Sequence, residues 1–345
     1  EEGSILMTRY GLDIESSEKG VIFGDLLKYI DKDFVKEDLM TKCVKFNENK
    51  LNAIHAAMMN AGTLIFVPEG RTVPNTLVCK SFVSNGYVFL NTLIIVEDNA
   101  KVSIFLDNSS NQNGNVVSEV VEIFVGKNAQ VKLHMLQDFS KETYCISRRN
   151  AIIEECGNLE FSIAELGGKV IKISSDFNLI GEKSKSQINA IVFGAGESKV
   201  DVSTVGRQLN KNTVYNVFLR GVLIDSAYST YEGLIKITKD ALKSESFLDA
   251  HTLLFDEAKA NSIPSLEIDN NDIKAGHAAT VGKVDDDQIF YLTSRGLSKE
   301  DAEKLILTGF FDSVIRKVGG IFAERVNAFM EMKQDGQWIE DKNGF

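Results

Sequence analysis

The residues in this chain that could do chemistry are few and scattered. Its four cysteines, Cys43, Cys79, Cys145 and Cys156, form no CxxC pair, and its four histidines are equally dispersed. Spacing therefore points neither to a structural zinc site nor to a disulfide framework, which belongs to short secreted chains. A phosphate-cradling loop needs GxxxxGK followed by Ser or Thr, so that backbone amides and a hydroxyl hold the nucleotide and its Mg²⁺. The nearest approach, GHAATVGKV at 276–284, has one spacer too many and Val after the Lys. Neither HExxH nor GxSxG occurs, so zincin and hydrolase-elbow sites are not indicated. Sugar cleavage would need two carboxylates gathered on neighbouring elements. Asp176 and Asp201 are the candidates, and each stands alone among Ser or Val. By itself, the sequence indicates no catalyst.

Composition narrows the classes further. The chain has 345 residues, 43% hydrophobic and 25% charged, with a formal net charge of −11. That is an ordinary globular composition, and the acidic balance without a basic block argues against nucleic-acid binding. No apolar run reaches eighteen residues, so no membrane span is expected. The opening EEGSILMTRYG lacks a basic flank followed by an apolar core, so it is not read as a secretory signal. A cytoplasmic protein is the expectation.

The elements that must position these residues fall into three blocks. The first sixty residues read as mostly helical, through GVIFGDLLKYI (20–30) and KFNENKLNAIHAAMMNAG (45–62). In the second stretch Leu51, Ile54 and Met58 fall at helical spacing and Gly62 marks a stop. His55 lies in that helix as a packed or surface residue. From Thr63 to about residue 269, strands of four to seven residues alternate with polar turns. Along one of them Val131, Leu133 and Met135 face one way and Lys132 and His134 the other, which places His134 on a solvated face.

The turns repeat. VEDNAKV (96–102) returns as VGKNAQV (125–131), then as IEECGNL from Ile153 and IGEKSKS from Ile180, with LFDEAKA (254–260) a weaker copy. A strand–turn–strand unit recurring every 27 to 29 residues without helices is the mark of a solenoid, whose coils share one continuous core. Cys156 falls at one of these turns and reads as a structural thiol. A sandwich would also supply short strands but has no reason to repeat one turn. After residue 275 the pattern turns helical. Ser298 and Asp301 stand in capping-box spacing, Leu305, Phe310, Val314, Ile315 and Val318 form an apolar stripe, and Gly309 and Gly319-Gly320 are expected to divide it into two or three helices.

The stretch NDIKAGHAATVGKVDDDQIFYLTSRGLSKEDAEKLILTGF (271–310) resembles the SufB/SufD family of iron–sulfur cluster assembly scaffolds. So do GVIFGDL (20–26), GTLIFVPEG (62–70), TLIIVEDNAKV (92–102), RGVLIDSAYSTYEGLIKI (220–237) and PSLEI (264–268). The resemblance implies a mainly β fold, a right-handed parallel β-helix flanked by helical N- and C-terminal segments, with expected boundaries 1–62, 63–275 and 276–345. It also implies a non-enzymatic scaffold whose C-terminal helices bind a SufC-like ABC ATPase, through Phe290, Tyr291, Arg295, Gly296, Leu305, Phe310, Phe311 and Val314. The far end of the β-helix would pair with a SufB-like subunit or with a second copy of the chain. SufB-type members carry a cysteine and a glutamate where this chain has Ala250 and Ala278, so it resembles SufD more. Two further positions that hold Cys and His in many members are Ala275 and Ser203. The resemblance leaves His277 as one expected iron or iron–sulfur ligand, in a cluster shared transiently with a partner and not held tightly by this chain alone.

Overall fold

The computed structural model describes residues 4–111 and 114–334. Two strands make up each coil, and the coils stack eight high. The strands run β1 (Ser4–Tyr10), β2 (Ile22–Asp25), β3 (Ala61–Val67), β4 (Leu77–Asn85), β5 (Tyr87–Val96), β6 (Lys101–Ser110), β7 (Val116–Val125), β8 (Gln130–Asp138) and β9 (Tyr144–Ile153). There follow β10 (Asn158–Glu165), β11 (Val170–Leu179), β12 (Lys185–Gly194), β13 (Lys199–Gln208), β14 (Val214–Leu223), β15 (Tyr228–Ile237), β16 (Glu245–Leu254), β17 (Lys259–Ile268) and β18 (Lys274–Lys283). From β3 onward each strand pairs in parallel with the strand two further on, giving two nine-stranded sheets, one odd-numbered apart from β2 and the other even-numbered apart from β1. Consecutive strands lie in opposite sheets, which makes the fold a parallel β-solenoid and not a sandwich of hairpins.

The repeated turn has a physical cause. Asn99, Asn128, Cys156, Lys183, Asn212 and Lys243 all have φ between 56° and 61°, the left-handed region that Asn tolerates best among residues with a side chain. In that conformation the amide of each points along the stack: Asn128 donates to the carbonyl of Glu155 at 2.9 Å and Cys156 to that of Glu182 at 2.9 Å. The next residue is buried beneath the turn and must be small, as with Ala100, Ala129, Ser184, Thr213 and Ser244, each fully buried. So the Asn-Ala signature is a left-handed residue followed by a small buried one. Two details of the expected repeat shift. Ile153 pairs in register with Leu179, and Ile180 begins the turn. LFDEAKA belongs to the opposite corner, where Asp256 and Asp225 have φ of 49° and 58°, and Leu254 is in register with Leu223.

The flanking segments differ from expectation at the N-terminus. Residues 20–30 hold β2 and a 3-10 turn at Leu26–Lys28 instead of a helix. β1 and β2 pair antiparallel with β4 and β3 and so cover the first rung. Short helices α1 (Ile14–Glu18), α2 (Asp33–Asp38) and α3 (Lys50–Met58) complete this segment. In α3 the large apolar side chains Leu51, Ile54 and Met58 are exposed, while Asn52 and His55 face inward. The apolar spacing is helical, but the buried face is the polar one, because the sheet beneath supplies Ser118 as partner for His55 at 2.9 Å. At the other end, β18 runs to Lys283, so the last rung continues past the expected boundary at 275.

Helices α4 (Asp286–Ser294), α5 (Lys299–Val318) and α6 (Gly320–Gln334) follow, and α5 and α6 fold back over the even-numbered sheet. Gly309 does not break α5, because the packed stripe around it outweighs a glycine cost of about 1 kcal/mol. Gly319 and Gly320, at φ 65° and 57°, do end it. Leu307, Phe311, Val314, Phe322, Val326 and Phe329 bury themselves against Phe105, Leu136, Ile191, Phe193 and Val222 of the sheet. His134 is consequently not solvated. Its ring lies 5.9 Å from that of Phe322, and burial pulls its pKa down to about 4.

Candidate functional site at the open rim and C-terminal helices

The register of the even-numbered sheet places His277. Leu77, Ile104, Leu133, Phe161, Ile188, Val217 and Leu248 stand above one another in one inward-facing column, and all are buried. The next member, opposite Leu248 on β18, is His277. An apolar column that has held for seven rungs thus ends in an imidazole, and that imidazole is exposed. β17 and β18 are the terminal strands of their sheets, each paired on one side only. Their ten-residue edges leave backbone donors and acceptors open to another chain. β17 carries Pro264, which lacks an amide, as edge strands allow.

The residues expected to meet a partner divide into two groups. Phe290 is 72% exposed, Tyr291 58% and Leu305 52%. Arg295 stacks its guanidinium 5.3 Å from the Tyr291 ring and donates to its hydroxyl at 3.1 Å. Gly296, with φ of 97°, turns the chain into α5. All of them are accessible, on α4, on the turn after it and in the first half of α5. Phe311 and Val314 are fully buried in the packing of α5 on the sheet. Their expected role as docking residues is corrected: they hold the helix in place. Phe310 is half-buried beside Arg220, whose guanidinium lies 5.9 Å from its ring.

Sequence reasoning missed three polar groupings. Arg220 and Lys317 both approach the Phe218 ring, at 3.8 Å and 3.1 Å, and so fasten α5 to the sheet; burial and the neighbouring Arg220 lower the Lys317 pKa. Beside them, Asp249 accepts from Arg220 at 2.8 Å and contacts His251 Nε2 at 2.8 Å, while His251 Nδ1 meets Thr280 at 2.5 Å. Inside the solenoid, the fully buried Arg149 bridges the two sheets, reaching Glu165 at 2.5 Å and Glu119 at 3.2 Å. Asn108 and Ser147 also donate to Glu119. Burial raises the Glu165 pKa against the pull of Arg149. The available signal was the inward alternation Cys145, Ser147, Arg149, Ala151, which places a charge on the core face. Cys43, Cys79 and Cys145 are buried and Cys156 is half-buried. Asp176 is held by Arg207 through contacts of 3.0 to 3.1 Å and Asp201 by Lys172 at 2.7 Å, so both candidate sugar-cleaving carboxylates are engaged by cations. Ala250 and Ala275 lie on the inward face of the last two even-numbered strands, Ala278 on the outer face of β18, and Ser203 on the outer face of β13, 3.3 Å from Ser174. Among the described residues no three His, Cys, Asp or Glu side chains are grouped to hold a metal ion, and no helix is long and apolar enough to cross a membrane.

The fold and this rim define a parallel β-solenoid covered at its first rung, open at its last, with a helical tail folded over one sheet. The family profile described as "SUF system FeS cluster assembly, SufBD core domain" matches residues 80–310. The iron–sulfur cluster assembly protein SufD of Bacillus subtilis is 31% identical over 316 residues, covering 89% of this chain and 72% of that protein. SufBD family proteins of Staphylococcus saprophyticus and Staphylococcus aureus are 26% and 27% identical, each covering 95% of this chain and 72% of the relative. The chain belongs to the SufB/SufD family of iron–sulfur cluster assembly proteins and is SufD-like.

Proposed function

We propose that the chain is a scaffold subunit without catalysis of its own, which joins two partners at two separate places. One partner is a SufC-like ABC ATPase docking on Phe290, Tyr291, Arg295 and Leu305. The other is a SufB-like solenoid that continues the sheets at β17 and β18. His277 then supplies one ligand to a cluster built at that junction, the cluster being cargo. Iron–sulfur clusters are held chiefly by thiolates with imidazole as a replacement, so the remaining ligands come from the partner. The observation that carries this reading is the column of seven buried apolar residues ending in exposed His277 on an unpaired edge. Buried imidazole there would serve no packing purpose, whereas an imidazole facing an interface can bind.

The test replaces His277 with Ala and follows anaerobic cluster build-up on the complex by absorbance and electron paramagnetic resonance, with complex assembly measured by light scattering. The expected result is intact assembly with reduced build-up; unchanged build-up removes the ligand role. Mixing with a SufB-type subunit and weighing the product separates a heterodimer from a pair of identical chains. A SufC-like ATPase that fails to co-purify with the unmodified chain would refute the docking surface.

A further inference from the structure

The outer face of the odd-numbered sheet carries an open groove of about 460 Å³ between the loop joining α2 to α3 and strands β9 and β11. Its wall is fixed in place. Buried Glu122 accepts the amides of Met40 at 2.9 Å and Val44 at 3.2 Å, and Asn150 donates to the Cys43 carbonyl at 2.8 Å. The floor has an order set by strand alternation. Arg148, Asn150 and Ile152 follow one another on the outer face of β9, in register with Ser174, Asp176 and Asn178 on β11. At a rise of about 3.3 Å per residue, Arg148 and Ile152 stand roughly 13 Å apart.

The cations of the lining are Arg148 on the floor and Lys42 and Lys45 on the loop, Lys42 being paired with Asp38 at 2.8 Å. The Arg148 Nε donor has no hydrogen-bond partner, and its nearest carboxylate, Glu48, is a loose 3.7 Å away. The middle is polar and nearly neutral, because Asp176 is already gripped by Arg207. The far end is apolar, made by Ile152 and the partly exposed Ile180. Lys42, Lys45, Arg148 and Arg207 stand against Asp38, Glu48 and Asp176, and Glu37, whose charge also acts on Lys42, brings the groove to near neutrality on a chain of net −11. A near-neutral patch on an acidic surface repels anions less than its surroundings do, and the volume lies in the range of small-molecule sites.

We propose that this groove binds a phosphorylated small molecule of mononucleotide size. The phosphate lies against Arg148 and Lys45, hydroxyl groups face Asn178, and a flat apolar end rests on Ile152 and Ile180. A guanidinium beside an ammonium group suits a multiply charged phosphate better than a single carboxylate.

The experiment uses the 345-residue chain without its ATPase, with ADP as probe and pyrophosphate and adenosine as its two halves, followed by equilibrium dialysis and calorimetry. Saturable ADP binding displaced by pyrophosphate is expected. Lys45→Glu, at an exposed position, lowers affinity by about tenfold or more, the scale of a charge-assisted contact. Ile180→Ser weakens ADP and adenosine and leaves pyrophosphate unchanged. Unaltered thermal unfolding of both variants excludes a folding effect. No saturable binding of either phosphate compound at millimolar concentration overturns the proposal. ADP binding that Lys45→Glu leaves unchanged overturns it too, since the ligand would then sit elsewhere.

Discussion

Phe290 and Phe311 stand 21 positions apart in the same C-terminal segment and should respond to truncation in opposite ways. Phe311 is fully buried against the even-numbered sheet, in the cluster with Phe105, Leu136 and Phe193. Phe311→Ala removes a ring from a close-packed site, and such changes cost about 3–5 kcal/mol. The helices α5 and α6 are joined to the solenoid by side-chain packing and not by a β ladder, so the loss should fall on their local opening. At 1.4 kcal/mol per factor of ten, opening becomes more frequent by about a hundredfold or more. Hydrogen exchange in 299–334 should accelerate accordingly, with the strands unaffected. Phe290 is 72% exposed, so Phe290→Ala should change exchange by less than about 0.5 kcal/mol and yet weaken binding of a SufC-like ATPase, read by surface plasmon resonance. The reasoning fails if Phe290→Ala accelerates exchange as much as Phe311→Ala does. It fails equally if Phe311→Ala leaves exchange in α5 and α6 untouched.

Two further outcomes follow from buried charge. Burial raises the Glu122 pKa from 4.5 to about 8, opposed by the amides of Met40 and Val44. Between those values the folded chain keeps a proton that the unfolded chain releases, so stability is fully present below pH 4.5 and declines as pH rises to 8. The span corresponds to at most about 5 kcal/mol; Glu122→Gln should flatten the slope of urea midpoints measured between pH 5 and 8.5, and an unchanged slope would assign it to other groups. Arg149→Met leaves Glu119 and Glu165 buried without a counter-charge and should cost about 3–5 kcal/mol. Adding Glu119→Gln and Glu165→Gln should recover part of that in the same denaturation assay, and absence of any recovery would argue against the ion cluster as the cause.

The repeat was legible because its cause is local. A left-handed residue followed by a small buried one recurs at each corner from an odd-numbered to an even-numbered strand between Asn99 and Ser244, and Asn99-Ala100 and Asn128-Ala129 write it in the clearest form. Cys156-Gly157 and Lys183-Ser184 satisfy the same geometry with other residues, which is why the later copies looked approximate. The helical tail was legible from its cap and stripe. Its orientation was not: periodicity shows that Leu305, Phe310, Phe311 and Val314 share a segment, but only packing decides that Phe311 and Val314 face the sheet while Leu305 faces out.

By itself, then, the chain's sequence determined the coil, the corner chemistry and the presence of His277 near the end of the strand region, since each depends on neighbours within a few residues or on a regular period. Tertiary structure alone decided that His277 completes an apolar column at an open rim, that Arg149 spans the interior, that α3 turns its polar side inward and that His134 lies beneath α6. Those facts depend on which residue of one coil lies above which residue of the next. Corner lengths vary from rung to rung, and the extra residue at Ile180 is taken up within the turn, so that Ser186 still stands over Leu159 on the inner face; a fixed-period count along the sequence would instead exchange inward and outward residues.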